Sequence, residues 1–169
     1  IARTDVEIRL VNDEDDEVPV GEEGEVSVSG DVVMKGYWKN PEATAKSLRG
    51  GWLHTGDIGR MDERGRLFLL DRKNDMIISG GTNIYPREVE EALIKHQGVR
   101  EAVVFGVPDT VWGESVFACV VPTPGASPTE EELIEFCRGQ LASFKKPKRV
   151  EIVDALPKNA YGKVLRREL

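Results

Sequence analysis

Cysteine, histidine and long apolar runs are all scarce in this chain, and each scarcity removes a class of protein. The only cysteines, Cys119 and Cys137, stand far apart in apolar surroundings. That excludes a disulfide framework and a zinc-binding spacing, and it points to buried thiols in a reducing compartment. His54 and His96 have no second ligand close by in sequence, so neither is assigned to a metal. No apolar run approaches the ~20 residues of a membrane span. Neither an internal repeat nor a low-complexity segment occurs, and no signal-peptide pattern opens the chain, so the cytoplasm is the expected location. The chain starts at Ile1, without Met and almost inside a strand, which suggests a piece of a longer protein.

What is present is a globular composition, 40% hydrophobic and 31% charged over 169 residues. The formal net charge of -7 argues against general nucleic-acid binding, but the charge is uneven. Asp13 to Glu17 is an acidic run, whereas from Leu141 to Leu169 eight Lys and Arg stand against three Asp and Glu. A basic tail on an acidic protein suggests a local anionic ligand such as phosphate, with a solvated surface as the plainer alternative.

Val6, Ile8 and Leu10 alternate with polar residues, and Glu25 to Gly30 repeats the pattern, so both read as half-buried strands. Asn40-Pro41-Glu42 starts a short helix, with Gly50-Gly51 expected to end it. Trp52 to Asp57 leads on to Ile58-Gly59-Arg60-Met61, and Asp62 to Arg66 is a hairpin turn into a strand at Leu67 to Leu70. This portion reads as a small twisted sheet or partial barrel. Pro86 to Ile94 carries Val89, Ala92 and Leu93 on one helical face. Strands follow at Val99 to Val107 and Ser115 to Val121, then a helix from Thr129 onward with Leu133, Ile134, Phe136, Cys137 and Leu141 apolar. A last strand spans Arg149 to Val153. The second portion is therefore a compact α+β domain.

Three features could carry chemistry. Asp57, after Gly56, is by default a cap for nearby backbone N–H groups; its functional alternative is a carboxylate accepting paired hydroxyls, as from a ribose. Ser79-Gly80-Gly81-Thr82-Asn83 lets backbone approach a ligand, although most glycine pairs are simple turns and no phosphate-loop spacing is present. Lys163, just after Gly162, is either a solvated lysine or a point charge that stabilises negative charge developing on a phosphoryl oxygen.

Taken in order, the motifs carry more than any one of them. Trp52-Leu53-His54-Thr55-Gly56-Asp57, then Asp71-Arg72-Lys73-Asn74-Asp75-Met76-Ile77, then Gly80-Gly81-Thr82-Asn83-Ile84-Tyr85-Pro86 with Glu88 and Glu90, and finally Pro157-Lys158 with Gly162-Lys163 resemble the adenylate-forming superfamily. Gly24-Glu25 with Gly36-Tyr37, Pro41 and Thr44 is similar to its upstream motif. The resemblance covers essentially the whole chain, and the branch it resembles most is the acyl- or aryl-CoA ligases.

The resemblance implies two half-reactions: a carboxylate attacks the α-phosphorus of Mg-ATP to give acyl-adenylate and pyrophosphate, and the thiol of CoA then displaces AMP. It implies that residues 1–73 are the β-rich end of a large N-terminal domain and that residues 74–169 are a small, mobile α+β C-terminal domain. Lys163 would bridge carboxylate and phosphate oxygens, while Asp57 and Arg72 would hold the ribose. Asn74 would be the hinge. Family members usually carry Gly-Arg followed by an Asp or Lys hinge, so Asp71-Arg72 with Asn74 is a departure that removes a charge. Gly80 and Gly81 would line the passage of the pantetheine arm, and Lys145 and Lys146 would meet CoA phosphates, with a solvated face as the alternative. The phosphate loop and acyl pocket of the family have no counterpart here, so the chain alone is expected to be inactive. ATP or AMP, Mg with its contacts mostly elsewhere, CoA and a carboxylic acid are the expected cofactors and partners; no protein-bound metal, nucleic acid or membrane span is expected, and a homo-oligomer stays open. Two alternatives remain: transfer to the phosphopantetheine of a carrier protein, and a non-catalytic nucleotide-binding or interaction module.

Overall fold

Alternation of apolar and polar residues becomes, in the first half of the chain, one face of a five-stranded antiparallel sheet. The computed structural model describes residues 5–169, which divide into two units with the boundary between Asn74 and Asp75. In the first unit β1 (Val6–Val11) pairs with β2 (Glu23–Gly30). Helix α1 (Pro41–Ser47) follows, capped at Asn40, whose Oδ1 accepts the Ala43 N–H at 2.9 Å. Strand β3 (Leu48–Arg49) and β4 (Trp52–Met61) come next, with β5 (Leu67–Arg72) closing the unit. The order β1-β2-β4-β3, with β5 also on β4, is an open sheet rather than a barrel. Gly50-Gly51 does not end the helix as expected. The helix stops at Ser47, and the glycine pair, with φ of 59° and 83°, is the two-residue turn joining β3 to β4. Positive φ at both positions gives the type I′ twist that suits a tight hairpin, which glycine adopts without a Cβ penalty.

The second unit is built on β9. A hairpin of β6 (Ile77–Ser79) and β7 (Thr82–Ile84) opens it, followed by α2 (Pro86–Ile94), β8 (Val99–Asp109), β9 (Gly113–Pro122), α3 (Glu130–Gln140) and β10 (Arg149–Ile152). Strand β8 runs antiparallel to β9 along its whole length, and β10 lies parallel to it. A parallel neighbour needs a crossover, which α3 supplies. A capping box starts that helix: Thr129 Oγ1 accepts the Glu132 N–H, and the Glu132 carboxylate accepts the Thr129 N–H.

Both faces of this second sheet are covered. One side packs Val104, Val116, Ala118 and Val120 against Val89 and Leu93 of α2 and Leu133 and Cys137 of α3. On the other side Val103, Cys119 and Val121 meet Leu156 and Val164 of the C-terminal segment. Near-continuous apolar stretches, here residues 102–107 and 116–121, are the expected signature of such a two-sided strand. The two cysteines fall on opposite faces, both buried and unpaired, and burial pushes the Cys137 thiol up to about 11. Leu133 is fully buried among these groups. Leu133→Ala should lower the stability of the second unit by about 2–5 kcal/mol, read as a drop in denaturation midpoint by the fluorescence of Trp112 with Trp38 and Trp52 replaced by Phe.

Candidate functional site

Asp57 is placed by an irregularity in β4. Between the pairs Glu25–Ile58 and Ser27–His54, β2 advances two residues while β4 advances four, so Thr55-Gly56-Asp57 bulges out of the ladder. Gly56 turns with φ of 73°, as a bulge at this point requires. The displaced backbone groups are satisfied by side chains: the Gly56 N–H donates to Glu25 Oε1 at 3.1 Å, and the Asp57 N–H donates to Thr55 Oγ1 at 3.1 Å. The Thr55 hydroxyl in turn donates to the Val26 carbonyl at 2.8 Å. Asp57 stands opposite Arg72 on β5, and Arg72 Nη1 reaches its carboxylate at 3.0 Å. The same guanidinium donates to the Thr55 carbonyl at 3.1 Å. Asp57 is therefore paired by a cation, not folded back as a turn cap, and its side chain stays 36% exposed.

Behind the bulge lies a charge cluster that sequence reasoning missed. Glu25 is only 6% exposed, and a carboxylate so far from water needs partners. Besides Gly56 N–H it takes the Lys73 ammonium at 3.1 Å, with Arg49 at 3.9 Å. Lys73 also pairs with Asp13 at 2.7 Å, and Arg49 pairs with Asp15 through two bonds of 2.7 Å. Burial would lower the Lys73 pKa, but its bonds to Asp13 and Glu25 turn the balance upward and keep the ammonium charged. His54 is buried in the same cluster, its Nδ1 3.3 Å from Ser27 Oγ. Burial first, and then the Arg49 charge, hold its pKa below the ordinary histidine value, so the neutral ring is favoured. The only signal in sequence was the Gly24-Glu25 motif, and nothing there announced burial.

In the second unit Gly80-Gly81 is the turn of the β6–β7 hairpin, with φ of 57° and 78°. The pair is thus a hairpin turn, yet Gly80 is also a close approach: a Cβ there would lie 2.6 Å from the Trp112 ring. The Gly80 N–H donates to the Trp112 carbonyl at 2.9 Å. Trp112, half exposed, has the Lys148 ammonium 5.9 Å from its ring centre. Lys148 pairs with Asp109 at 2.7 Å; that ammonium, with the Val111 and Trp112 N–H groups, holds the Asp109 carboxyl down to about 2.

The basic tail is mostly neutralised. Lys145 meets both oxygens of Glu88 at 2.9 and 2.7 Å, and Lys148, Arg149, Lys158 and Arg166 each hold a carboxylate. Lys146, Lys163 and Arg167 form no ion pair among the described residues. Lys163 sits on an exposed C-terminal hairpin in which Lys158 bridges Val164. Asn159 shapes its tip, its Oδ1 accepting the Tyr161 and Lys163 N–H groups at 3.0 Å each. Asn74 lies in a single 3₁₀ turn, Lys73–Asp75, between β5 and β6. Among the described residues no group of three or more His, Cys, Asp or Glu is arranged to hold a metal ion, and no helix is long and apolar enough to cross a membrane.

The two-sheet α+β chain, with its cation-paired Asp57 and its unpaired Lys163, is similar to adenylate-forming enzymes. Its residues 88–163 match the family model described as the AMP-binding enzyme C-terminal domain. The chain is 52% identical over 163 residues to a long-chain-fatty-acid–CoA ligase of Escherichia coli O6:H1, covering 96% of this chain and 29% of that protein. ATP-bound MatB from Rhodopseudomonas palustris is similar in structure, with a TM-score of 0.92 and 41% identity over 99% of this chain and 34% of that one. The o-succinylbenzoate CoA synthetase of Bacillus subtilis, in complex with its acyl-adenylate intermediate, has a TM-score of 0.90 and 41% identity, covering 98% of this chain and 34% of that one. The chain thus spans about a third of the length of these relatives.

The buried histidine makes a pH dependence. Its folded pKa lies below the unfolded value of 6.5, so below pH 6.5 the unfolded chain binds the extra proton and the native state loses stability. Urea denaturation followed by Trp38 and Trp52, with Trp112 replaced by Phe, should show the first unit weakening from pH 7 to pH 5. The carboxylates Asp13 and Asp15 titrate below 3.8, so His54→Gln should flatten that slope.

Proposed function

We propose that this chain serves an ATP-dependent acyl-CoA ligase, with residues 1–73 as the β-rich end of the large domain and 74–169 as the small mobile domain. The reaction activates a carboxylic acid as its acyl-adenylate and passes the acyl group to CoA. The observation that carries this is Lys163: in a tail whose cations are mostly spent on carboxylates, it is left uncommitted at an exposed hairpin tip. The physical burden of adenylation is bringing an anionic carboxylate to an anionic phosphate. A lysine free of internal partners can meet oxygens of both and stabilise the charge that builds between them.

The remaining candidates fit supporting roles. Asp57, turned outward by the bulge and braced by Arg72, is a carboxylate suited to accept the vicinal hydroxyls of the AMP ribose. Arg72 holds the ribose from beside it. Asn74, in a three-residue turn between two sheets, is the hinge at which the backbone changes between half-reactions. Gly80 and Gly81 keep the pantetheine path free of side chains. Lys146, unpaired, and Lys145, which would exchange Glu88 for a phosphate, receive CoA. CoA is favoured as acceptor over a carrier protein by the naming of the relatives as CoA ligases and synthetases.

The test uses the full-length protein with long-chain fatty acids and o-succinylbenzoate as probe acids. Lys163→Ala should lower acid-dependent ATP–pyrophosphate exchange by about 10²–10³-fold while thioester formation from preformed acyl-adenylate persists. Unchanged exchange would instead favour a non-catalytic nucleotide-binding module. The 169-residue chain alone is expected to give no exchange.

A further inference from the structure

Lys163 acts only if its hairpin is held in place, and the hairpin's own bonds do not fasten it to the rest of the unit. Asn159 and Lys163 bond to each other, the Gly162 N–H returns to the Asn159 carbonyl, and the Leu165 N–H donates to the Pro157 carbonyl. These set the shape of the loop and leave its placement open. One stem is tied by Lys158 to Glu101, while Val164, across the hairpin, packs against the Val103–Cys119 face. The other stem ends in Arg166, three residues beyond the lysine.

Arg166 spends its guanidinium on three separate elements. Its Nη1 donates to Asp75 Oδ2 at 2.7 Å, Nη2 to Glu90 Oε1 at 2.8 Å, and Nε to the Val104 carbonyl at 3.3 Å. Glu90 is itself fixed, because its Oε1 also accepts the Val104 N–H at 2.9 Å. The three acceptors belong to the 3₁₀ turn that contains Asn74, to α2 and to β8. With the side chain 30% exposed, these are partly desolvated, charge-assisted bonds, and a planar fork satisfies two carboxylates and a carbonyl at once where a lysine could not.

We propose that Arg166 is a positioning residue that couples the Lys163 hairpin to Asp75, the residue directly after Asn74, so that the catalytic lysine moves as one body with the segment following the hinge. This rests on the role given to Lys163 above. Arg166 acts through the geometry of the hairpin rather than on substrate or nucleotide.

Two measurements on the full-length protein test it. In amide hydrogen exchange, Arg166→Gln should expose residues 159–165 to faster exchange while the β8–β9 amides keep their protection, which also shows that the fold persists. Arg166→Lys, which keeps the charge and loses the fork, should lie between. Unchanged protection at 159–165 in both variants overturns the proposal whatever the activity. In pyrophosphate exchange, Arg166→Gln should cost about 10–100-fold in the parent and almost nothing further in a Lys163→Ala background, because residues acting through one another are not additive. An equal loss in both backgrounds marks a general structural defect and also overturns it. If Lys163→Ala alone leaves exchange intact, the proposed function fails, and the hydrogen-exchange arm still decides whether Arg166 anchors the hairpin.

Discussion

The first unit is organised by a single requirement, that the carboxylate of Glu25 be paired where water cannot reach it. Glu25 answers by drawing in the Lys73 ammonium and the Gly56 N–H, and both consequences bear on chemistry. The Gly56 contact holds open the bulge in β4 that turns Asp57 outward. The Lys73 contact pins the end of β5 immediately beside Arg72 and just before Asn74. Removing one partner of such a cluster costs more than the pair contributes, because a buried charge is left behind. His54 is kept neutral in the same cluster, first by its burial and then because a second cation beside Arg49 would be repelled.

The second unit solves a related problem in the opposite way. Its sheet is buried on both faces by Val, Leu and Ile, so the apolar packing needs no help. Ion pairs appear instead at the margins, where segments without a hydrophobic face must be attached: Lys145 to Glu88, Lys148 to Asp109, Arg166 to Asp75 and Glu90. Exposed pairs of this kind contribute little to stability. Their value lies in direction, because each settles where a loop carrying a candidate residue sits. Lys158 and Arg166, on the two stems of the hairpin, are committed to carboxylates, and Lys163 between them is not.

Much of the local structure was legible in the chain. Asn40 before Pro41 and Thr129 before three glutamates announced two helix starts, and both caps form as their chemistry requires. Period-2 alternation located β1 and β2, and apolar stretches rich in Val located β8 and β9. The misreadings share a cause. Gly50-Gly51 was legible as a break but not as a hairpin, because the two-residue strand before it has no periodicity to detect. The β6–β7 hairpin and the C-terminal one escaped for the same reason, being too short for pattern to outweigh turn residues. Trp112 gave no hint that it would lie against Gly80, which is a contact between turns of different hairpins.

By itself the sequence determined most of the element types, the apolar character of the Val-rich strands and the order of the motifs that resemble the adenylate-forming family. These depend on neighbours within a few residues, or on the identity and order of motifs, and both can be read along a line. Only the tertiary structure decided which anion each cation takes. Glu25 and Lys73 are 48 residues apart and Asp75 and Arg166 are 91 apart, so nothing local distinguishes those partners from any other carboxylate. Ion pairing is decided by distances of a few ångströms and by loss of water, and both exist only after the sheets have formed.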